Sequence, residues 1–447
     1  MQSDTISEKL ADTVAALVEA ARKAGADAAD AVAVRGASRS VSVRLGKVEG
    51  TEMAESDDIS LRVFVGRRVA SVSANAGADA GALAERAVAM ARVSPEDPHQ
   101  GLADPSMLAG DAVDLDLFDG SEISTARLTE DALETEAAAL AVGGVTNSGG
   151  AGASAGHGGL VLATSTGFLG RYMATRFSKS VSVIAGEGTA MERDWDFSSR
   201  LHYDDLEAAA AVGRRAGERA VRRLGARKAK TGRVPVVFDP RVARGLAASL
   251  GAAINGASVA RRTSFLRDRM GEAVASTSVT LLDDPLVRRG PSSRPFDGEG
   301  VRGSRLAMIE NGVLKHWFLS VSAAHELNLT TNGRGVRSAS SVSPAATNLS
   351  IEPGAATPES LIGGIADGLY VTEVVGQGVD LVTGDYSRGA SGFWIENGEL
   401  AWPVSEITIA SNLKDMFLNL VPANDIDRNF GVAAPTLFVG DMTIAGV

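Results

Sequence analysis

The chain has 447 residues, enough for two or three domains at ~150 residues each and for a core that needs no covalent staples. Hydrophobic residues at 45 % and charged residues at 22 % argue against a largely disordered, a collagen-like or a membrane-embedded chain. Basic residues number 44 against 55 acidic, a net charge of −11 that repels phosphate backbones, so no nucleic-acid partner is expected. Cysteine is absent, which removes disulfides, thiolate zinc sites, iron–sulfur clusters and cysteine nucleophiles together. The N-terminus carries no apolar signal core and no lipidation motif, and apolar runs fall well short of the ~18 residues that cross a bilayer; the expectation is a cytoplasmic protein without membrane contact.

In chain order, Ile6, Leu10, Val14, Leu17, Val18 and Ala21 recur at helical spacing, so the stretch from Ile6 to Ala24 is expected to be a helix with one face packed. The period then changes to two, through Val32 and Val34, Val41 and Val43, and Ile59, Leu61, Val63 and Val65, with Gly66-Arg67 as a hairpin turn. A helix from Asp79 to Arg92 closes at Ser94-Pro95. Residues 95–124, rich in Asp, Gly and Pro, read as an extended surface connection. A third helix spans Thr125 to Ala141, glycine is dense from Gly149 to Gly159, and strands resume near Leu160, Phe168, Ser180 to Ile184 and Met191 to Phe197. Helix, strands, helix therefore occurs twice, as in a loose internal duplication. A fourth helix, Asp205 to Leu224, runs into the polar stretch Gly225 to Gly232, where the domain boundary is placed: an N-terminal α/β two-layer domain (1–225) of helices and antiparallel strands, and a C-terminal domain (226–447). The fold class is α+β. The C-terminal domain opens with a strand, Val234 to Phe238, and a helix from Pro240 to Asn255; mainly antiparallel strands follow, with hairpin turns at Glu310-Asn311-Gly312 and Glu396-Asn397-Gly398. Short helices are expected at Ser320 to Leu327, after Thr357-Pro358-Glu359, and from Ser411 to Leu420.

Few residues carry a chemical signature. The five histidines, His99, His157, His202, His316 and His325, include no pair one helical turn apart, the spacing a helical zinc-hydrolase motif requires. Gly152-Ala153-Ser154-Ala155-Gly156 matches the serine-hydrolase elbow by letters, and a stand-alone hydrolase through Ser154 is one alternative, although an elbow needs a strand before the serine and a helix after it. Gly298-Glu299-Gly300-Val301-Arg302-Gly303 matches the dinucleotide fingerprint without the strand and helix that would hold a pyrophosphate. Asp111, Asp114, Asp116 and Asp119 depart from the calcium-loop spacing and read as a solvated acidic loop. Arg215, Arg219, Arg222 and Arg223 share a helix face and join Arg227, Lys228 and Lys230 in a basic patch, either a solvated face or a phosphate site. Gly384 to Gly392, with Asp385, Tyr386, Ser387 and Arg388, is either a loop that contacts an extended peptide or a partner, or a tight strand connection.

Met191-Glu192-Arg193-Asp194, Ser258 to Leu266 with Arg261 and Arg262, Pro295-Phe296-Asp297 with Glu299 to Arg302, and above all Thr383 to Trp394 continuing through Pro403 to Ala410 and Asn412 to Met416, resemble the TldD/PmbA family, in its PmbA (TldE) branch. The resemblance covers most of the chain and is dense after Arg233. It implies a heteromeric cytoplasmic metalloprotease in which a TldD subunit holds zinc through a helical His-Glu-x-x-x-His motif and a later cysteine. This chain departs from that pattern: Ala243 to Asn255 contains neither histidine nor glutamate. No catalytic or metal residue carries over, so the expected role is a non-catalytic partner of a zinc-holding, TldD-like subunit in a heterodimer that cuts unfolded peptides, with family roles in microcin maturation and antitoxin turnover. A homodimer in the absence of that subunit stays open. Arg261, Arg262, Asp385, Tyr386, Ser387 and Arg388 are the candidates for substrate or partner contact. The family label "modulator of DNA gyrase" leaves a non-enzymatic binding module as a further alternative.

Overall fold

The computed structural model describes residues 2–110, 113–338 and 341–447. The first half comprises α1 (Gln2–Lys23), β1 (Ala28–Arg44), β2 (Lys47–Val65), β3 (Arg68–Asn75), α2 (Ala80–Val93), α3 (Thr125–Leu140), β4 (Val145–Thr164), β5 (Leu169–Ala185), β6 (Glu192–Arg200) and α4 (Ala209–Arg222). Its strands form one antiparallel sheet in the order β3-β2-β1-β4-β5-β6, so the two helix–three-strand–helix units meet at β1 and β4, the arrangement an internal duplication would produce. All four helices lie on the same face. Leu10, Val14, Leu17 and Val18 of α1 and Ala84, Ala87 and Val88 of α2 cover Ala29, Ala31, Ala33, Ile59, Leu61 and Val63 at one end. The side chain of Ile6 lies outside the described ones. At the other end Leu128, Ala132, Ala216 and Ala220 cover Val41, Val43, Ala151, Ala153, Val181 and Val183. The side-chain period of two makes every one of these covered strand residues odd-numbered.

Three expectations change here. The glycine-dense stretch 149–159 lies inside β4, since Ala151, Ala153 and Ala155 alternate with glycine and serine. The fourth helix begins at Ala209, because Tyr203–Asp205 forms a separate 3-10 turn. Part of the 95–124 connection is buried between the halves: Leu115 and Leu117 are in the core, and the Met107 and Leu115 carbonyls accept from the Arg302 and Arg289 amides.

The second half comprises β7 (Gly232–Phe238), α5 (Pro240–Ala253), α6 (Gly256–Ala260), β8 (Leu281–Asp284), β9 (Leu306–Glu310), β10 (Val313–Leu314), α7 (Val321–Glu326), β11 (Gly335–Ser338), β12 (Ser341–Pro344), β13 (Asn348–Ile351), α8 (Pro358–Gly363), β14 (Asp367–Val375), β15 (Asp385–Glu396), β16 (Glu399–Asn412), α9 (Leu413–Asn419), β17 (Val421–Pro422), β18 (Val432–Ala433) and β19 (Leu437–Ala445). β16, β15, β14, β7 and β19 pair in succession, and β16 also pairs with β19, which closes them into a barrel. A second sheet, β10-β9-β8-β13-β18, packs nearby, with α5 against β13, β14 and β18. One apolar core runs through helix, barrel and sheet. Both Asn-Gly turns form as expected: Asn311 and Gly312 have φ 48 and 80, Asn397 and Gly398 φ 51 and 83. Left-handed φ at both central residues matches the twist of the flanking strands.

Candidate functional site

Strand alternation sorts the residues singled out near the C-terminus. The segment from Asp385 is the strand β15, with Gly384 at φ 90 turning the chain into it. Tyr386 points into the barrel, 4 % exposed, and packs on Phe238, so its hydroxyl is withdrawn from any surface site; burial raises its pKa, opposed by the adjacent Arg388. Asp385 accepts from Thr383 Oγ1 at 2.8 Å and Asn412 Nδ2 at 3.1 Å, and Arg388 Nε donates to the Gly376 carbonyl at 3.0 Å. Ser387 is exposed, and its amide donates to Gly378. Arg261 and Arg262 are exposed after α6, on a segment joined to this corner where the Phe265 amide donates to Leu381 at 2.8 Å and the Phe265 ring stacks on Phe417. Arg261, Arg262 and Ser387 thus remain available for contact, whereas Asp385, Tyr386 and Arg388 hold the strand and its turn in place.

Helix α5 occupies the position where the family resemblance puts the zinc motif. Its sequence, Pro240 to Ala253, contains no His, Cys, Asp or Glu, and Val242, Ala243, Leu246, Ala247 and Leu250 are buried against the core. Without nitrogen, sulfur or carboxylate donors, this helix does not fit a zinc ion. Among the described residues no group of three or more His, Cys, Asp or Glu side chains stands close enough to hold a metal.

The glycine motif at 298–303 lies at the junction of the halves. A Cβ on Gly298 would meet the Arg337 amide nitrogen at 2.7 Å and one on Gly303 would meet Pro285 Cγ at 2.7 Å, so close packing accounts for these glycines. The motif delivers buried carboxylates into a network. Asp297 accepts from the amides of Glu299, Val301 and Gly335 at 2.8, 2.9 and 2.7 Å. Glu299 accepts from the Val321 amide at 2.7 Å and stands 3.7 Å from Arg62 Nη2. Arg62 Nε and Arg337 Nη1 both donate to Asp30, at 3.1 and 3.0 Å, tying β1 and β2 to β11. Burial raises Asp30, but Arg337 and Arg62 outweigh it and hold its pKa below the ordinary value. Burial, reinforced by Asp297 and only partly offset by Arg62, pushes Glu299 up to about 7.

Much of the basic patch is paired at a second junction, while Lys230 stays exposed. Arg215 and Arg219 bind Asp196, Arg223 reaches Glu373 of β14 at 2.7 Å, and Arg222 and Arg227 lie over the rings of Phe393 and Trp402. This leaves a packed inter-element face in place of a phosphate site. The acidic loop is likewise paired: Arg289 and Arg288 bond to Asp116 and hold it down to about 2, while Asp111 lies outside the described residues. Ser154 sits mid-strand with its Oγ 2.8 Å from Ser178 Oγ, and His157, three residues on, projects from the opposite face, so no elbow forms.

Between the two helix pairs the N-terminal sheet is uncovered. Ala37, Ala155 and Gly159 floor a hollow of about 740 Å³ edged by Arg35, Arg39, Met53, Glu55 and His157 and crossed by residues 118–124. Arg39 Nη1 donates to Ile123 O at 3.4 Å, while its Nε is buried without a hydrogen bond. Period-two alternation of small residues in β4 was the available signal for this open waist.

The fold is thus a closed barrel carrying α5, joined to a long two-unit sheet. Family models match three successive regions: PmbA/TldA metallopeptidase domain 1 at residues 29–91, the central domain at 118–224 and the C-terminal domain at 231–446. The chain belongs to the PmbA/TldD metallopeptidase family. It is 39 % identical to the metalloprotease PmbA of Escherichia coli, covering 91 % of this chain and 90 % of that one, and 36 % identical to a PmbA homologue of Haemophilus influenzae, covering 98 % and 96 %. Among solved structures it resembles a candidate modulator of DNA gyrase from Bacteroides thetaiotaomicron, with TM-score 0.89, 28 % identity and 98 % of each chain covered. TldE from Thermococcus kodakarensis shares the fold, with TM-score 0.83 at 20 % identity over 97 % of this chain and all of that one. No described helix is long and apolar enough to cross a membrane.

Proposed function

We propose that this chain is the non-catalytic subunit of a heteromeric, TldD/TldE-type zinc protease that acts on unfolded peptides in the cytoplasm, with zinc held by its TldD-like partner. The observation that carries the reading is α5: where the family's His-Glu-x-x-x-His helix would stand, this helix buries alanine, leucine and valine and offers no ligand. A protein zinc site lowers the pKa of bound water toward ~7 and so makes a nucleophile at neutral pH; a helix without donors contributes nothing to that step. What this polypeptide brings is surface. Arg261, Arg262 and Ser387 are exposed at one corner of the barrel domain, and the waist of the N-terminal sheet is open. Microcin-like precursors and antitoxins are the substrate classes the family reading brings with it. Pairing of the arginines of α4 with acidic and aromatic neighbours disfavours a role on nucleic acid. The test is reconstitution: the purified chain cleaves no unfolded casein, a TldD-like protein from the same source binds it, and the mixture cleaves. Casein cleavage by the chain alone, in chelator-treated buffer, overturns the reading.

A further inference from the structure

Strand β2 is longer than the partner on its outer side. β3 reaches only to the pair Asp58–Asn75, after which the Ala76 amide donates outward to the Asp57 carbonyl at 3.0 Å. Residues 47–56, apart from Glu49 at a bulge, therefore pair with β1 on one side and with no strand of the described structure on the other, and all but the half-buried Gly50 are exposed. Because N–H and C=O of one residue point to the same side of an antiparallel strand, the outward Asp57 carbonyl fixes those of Thr51, Met53 and Glu55 as outward too. The edge is held still at its far end. Glu136 of α3, 1 % exposed, accepts the Leu45 and Gly46 amides of the β1–β2 turn at 2.9 and 2.8 Å. A long, anchored edge free of proline is a template for another strand.

Its side chains select the occupant. Over residues 47–57 one lysine, Lys47, stands against Glu49, Glu52, Glu55 and Asp57, so two copies pairing here would bring like charges together. Met53, 66 % exposed, sits among them at the mouth of the waist hollow. We infer that the open edge of β2, from Lys47 to Ser56, binds an extended polypeptide rich in lysine and arginine by strand addition, with cations opposite Glu52 and Glu55 and an apolar side chain opposite Met53. The inference rests on the accessory-subunit reading only in taking that polypeptide to be an unfolded substrate; main-chain bonds supply affinity and the carboxylates supply the preference.

The test is fluorescence anisotropy on the isolated full chain, with a fluorescein-labelled peptide of valine and threonine that carries lysine where it faces Glu52 and Glu55 and valine where it faces Met53, and a matched peptide carrying glutamate for lysine. The lysine peptide binds, the glutamate peptide does not, and added salt weakens the complex. Met53→Pro removes an outward donor without touching the ladder to β1 and raises Kd by ~10-fold or more, with circular dichroism unchanged. The double variant Glu52→Lys with Glu55→Lys exchanges the preference between the two peptides and keeps the test decisive should the proline variant misfold. Equal binding of both peptides, or wild-type affinity in folded Met53→Pro, overturns the inference. So does concentration-dependent self-association that Met53→Pro abolishes, which would make a second copy the occupant. Because no protease is present, failure here leaves the reconstitution result untouched, and the reverse also holds.

Discussion

The barrel half and the waist of the N-terminal sheet solve opposite problems with similar chain. In the barrel half, α5, the closed barrel and the second sheet share one continuous core, and even the charged Arg334 and Asp283 are fully buried within it. At the waist, strands of 17 to 20 residues outrun the helices that cover their ends, leaving alanine, glycine, arginine and glutamate to face open space. The difference teaches which surface of this fold is spent on packing and which is left open. Helix α5 is filled with apolar packing and offers no metal ligand, while the exposed surface is on a sheet whose shape does not depend on it.

That comparison breaks most sharply at Asp283. It accepts from Arg334 Nε at 2.9 Å, from the Thr347 amide at 2.7 Å and from Thr347 Oγ1 at 2.8 Å. Asp283→Ala strands a buried guanidinium, and the expected loss is ~3–5 kcal/mol, read from the urea midpoint. Leu246→Ala on α5 opens a cavity in the same core and costs ~2–5 kcal/mol by the same measurement.

The junction between the regions responds to pH. Folding raises Glu299 from 4.5 to about 7, so the folded state holds that proton more tightly than the unfolded chain. The contribution of this group to stability is present below about 4.5 and is lost as pH rises through about 7. Glu299→Gln removes this loss, and the fall in melting temperature between pH 5 and ~8 should be shallower in the variant than in the parent. An unchanged slope would place the titration elsewhere. The smallest effect is expected at the waist: His157→Ala, exposed on β4, should shift stability by no more than ~0.5 kcal/mol. A loss as large as that at Leu246 would show that the waist is packed rather than open.

Much of this architecture is legible in the residues themselves. The period-two runs around Val41, Ile59 and Val183 became strands, and the two Asn-Gly pairs became hairpin turns, because local sterics and one buried face decide both. β4 was obscured because Gly149 to Gly159 offers little β propensity; pairing with β1 and β5 on either side overrides it. The buried network was illegible for another reason. Asp30, Arg62, Glu299 and Arg337 come from segments up to 307 residues apart, and in a strand an isolated charge reads as solvent-facing until its partner is located. Tyr386 shows the limit within one motif: the letters of Gly384 to Gly392 leave a contact loop and a tight strand connection equally open, and only the register of β15 turns the phenol inward.

The account turns on a helix that cannot grip a metal. The most direct measurement is zinc per chain by mass spectrometry of the metal content, on the purified chain alone and on its co-purified complex with a TldD-like subunit. The chain alone should carry no stoichiometric zinc and the complex should carry zinc in proportion to the other subunit; one tightly held zinc per copy of this chain by itself would contradict the account.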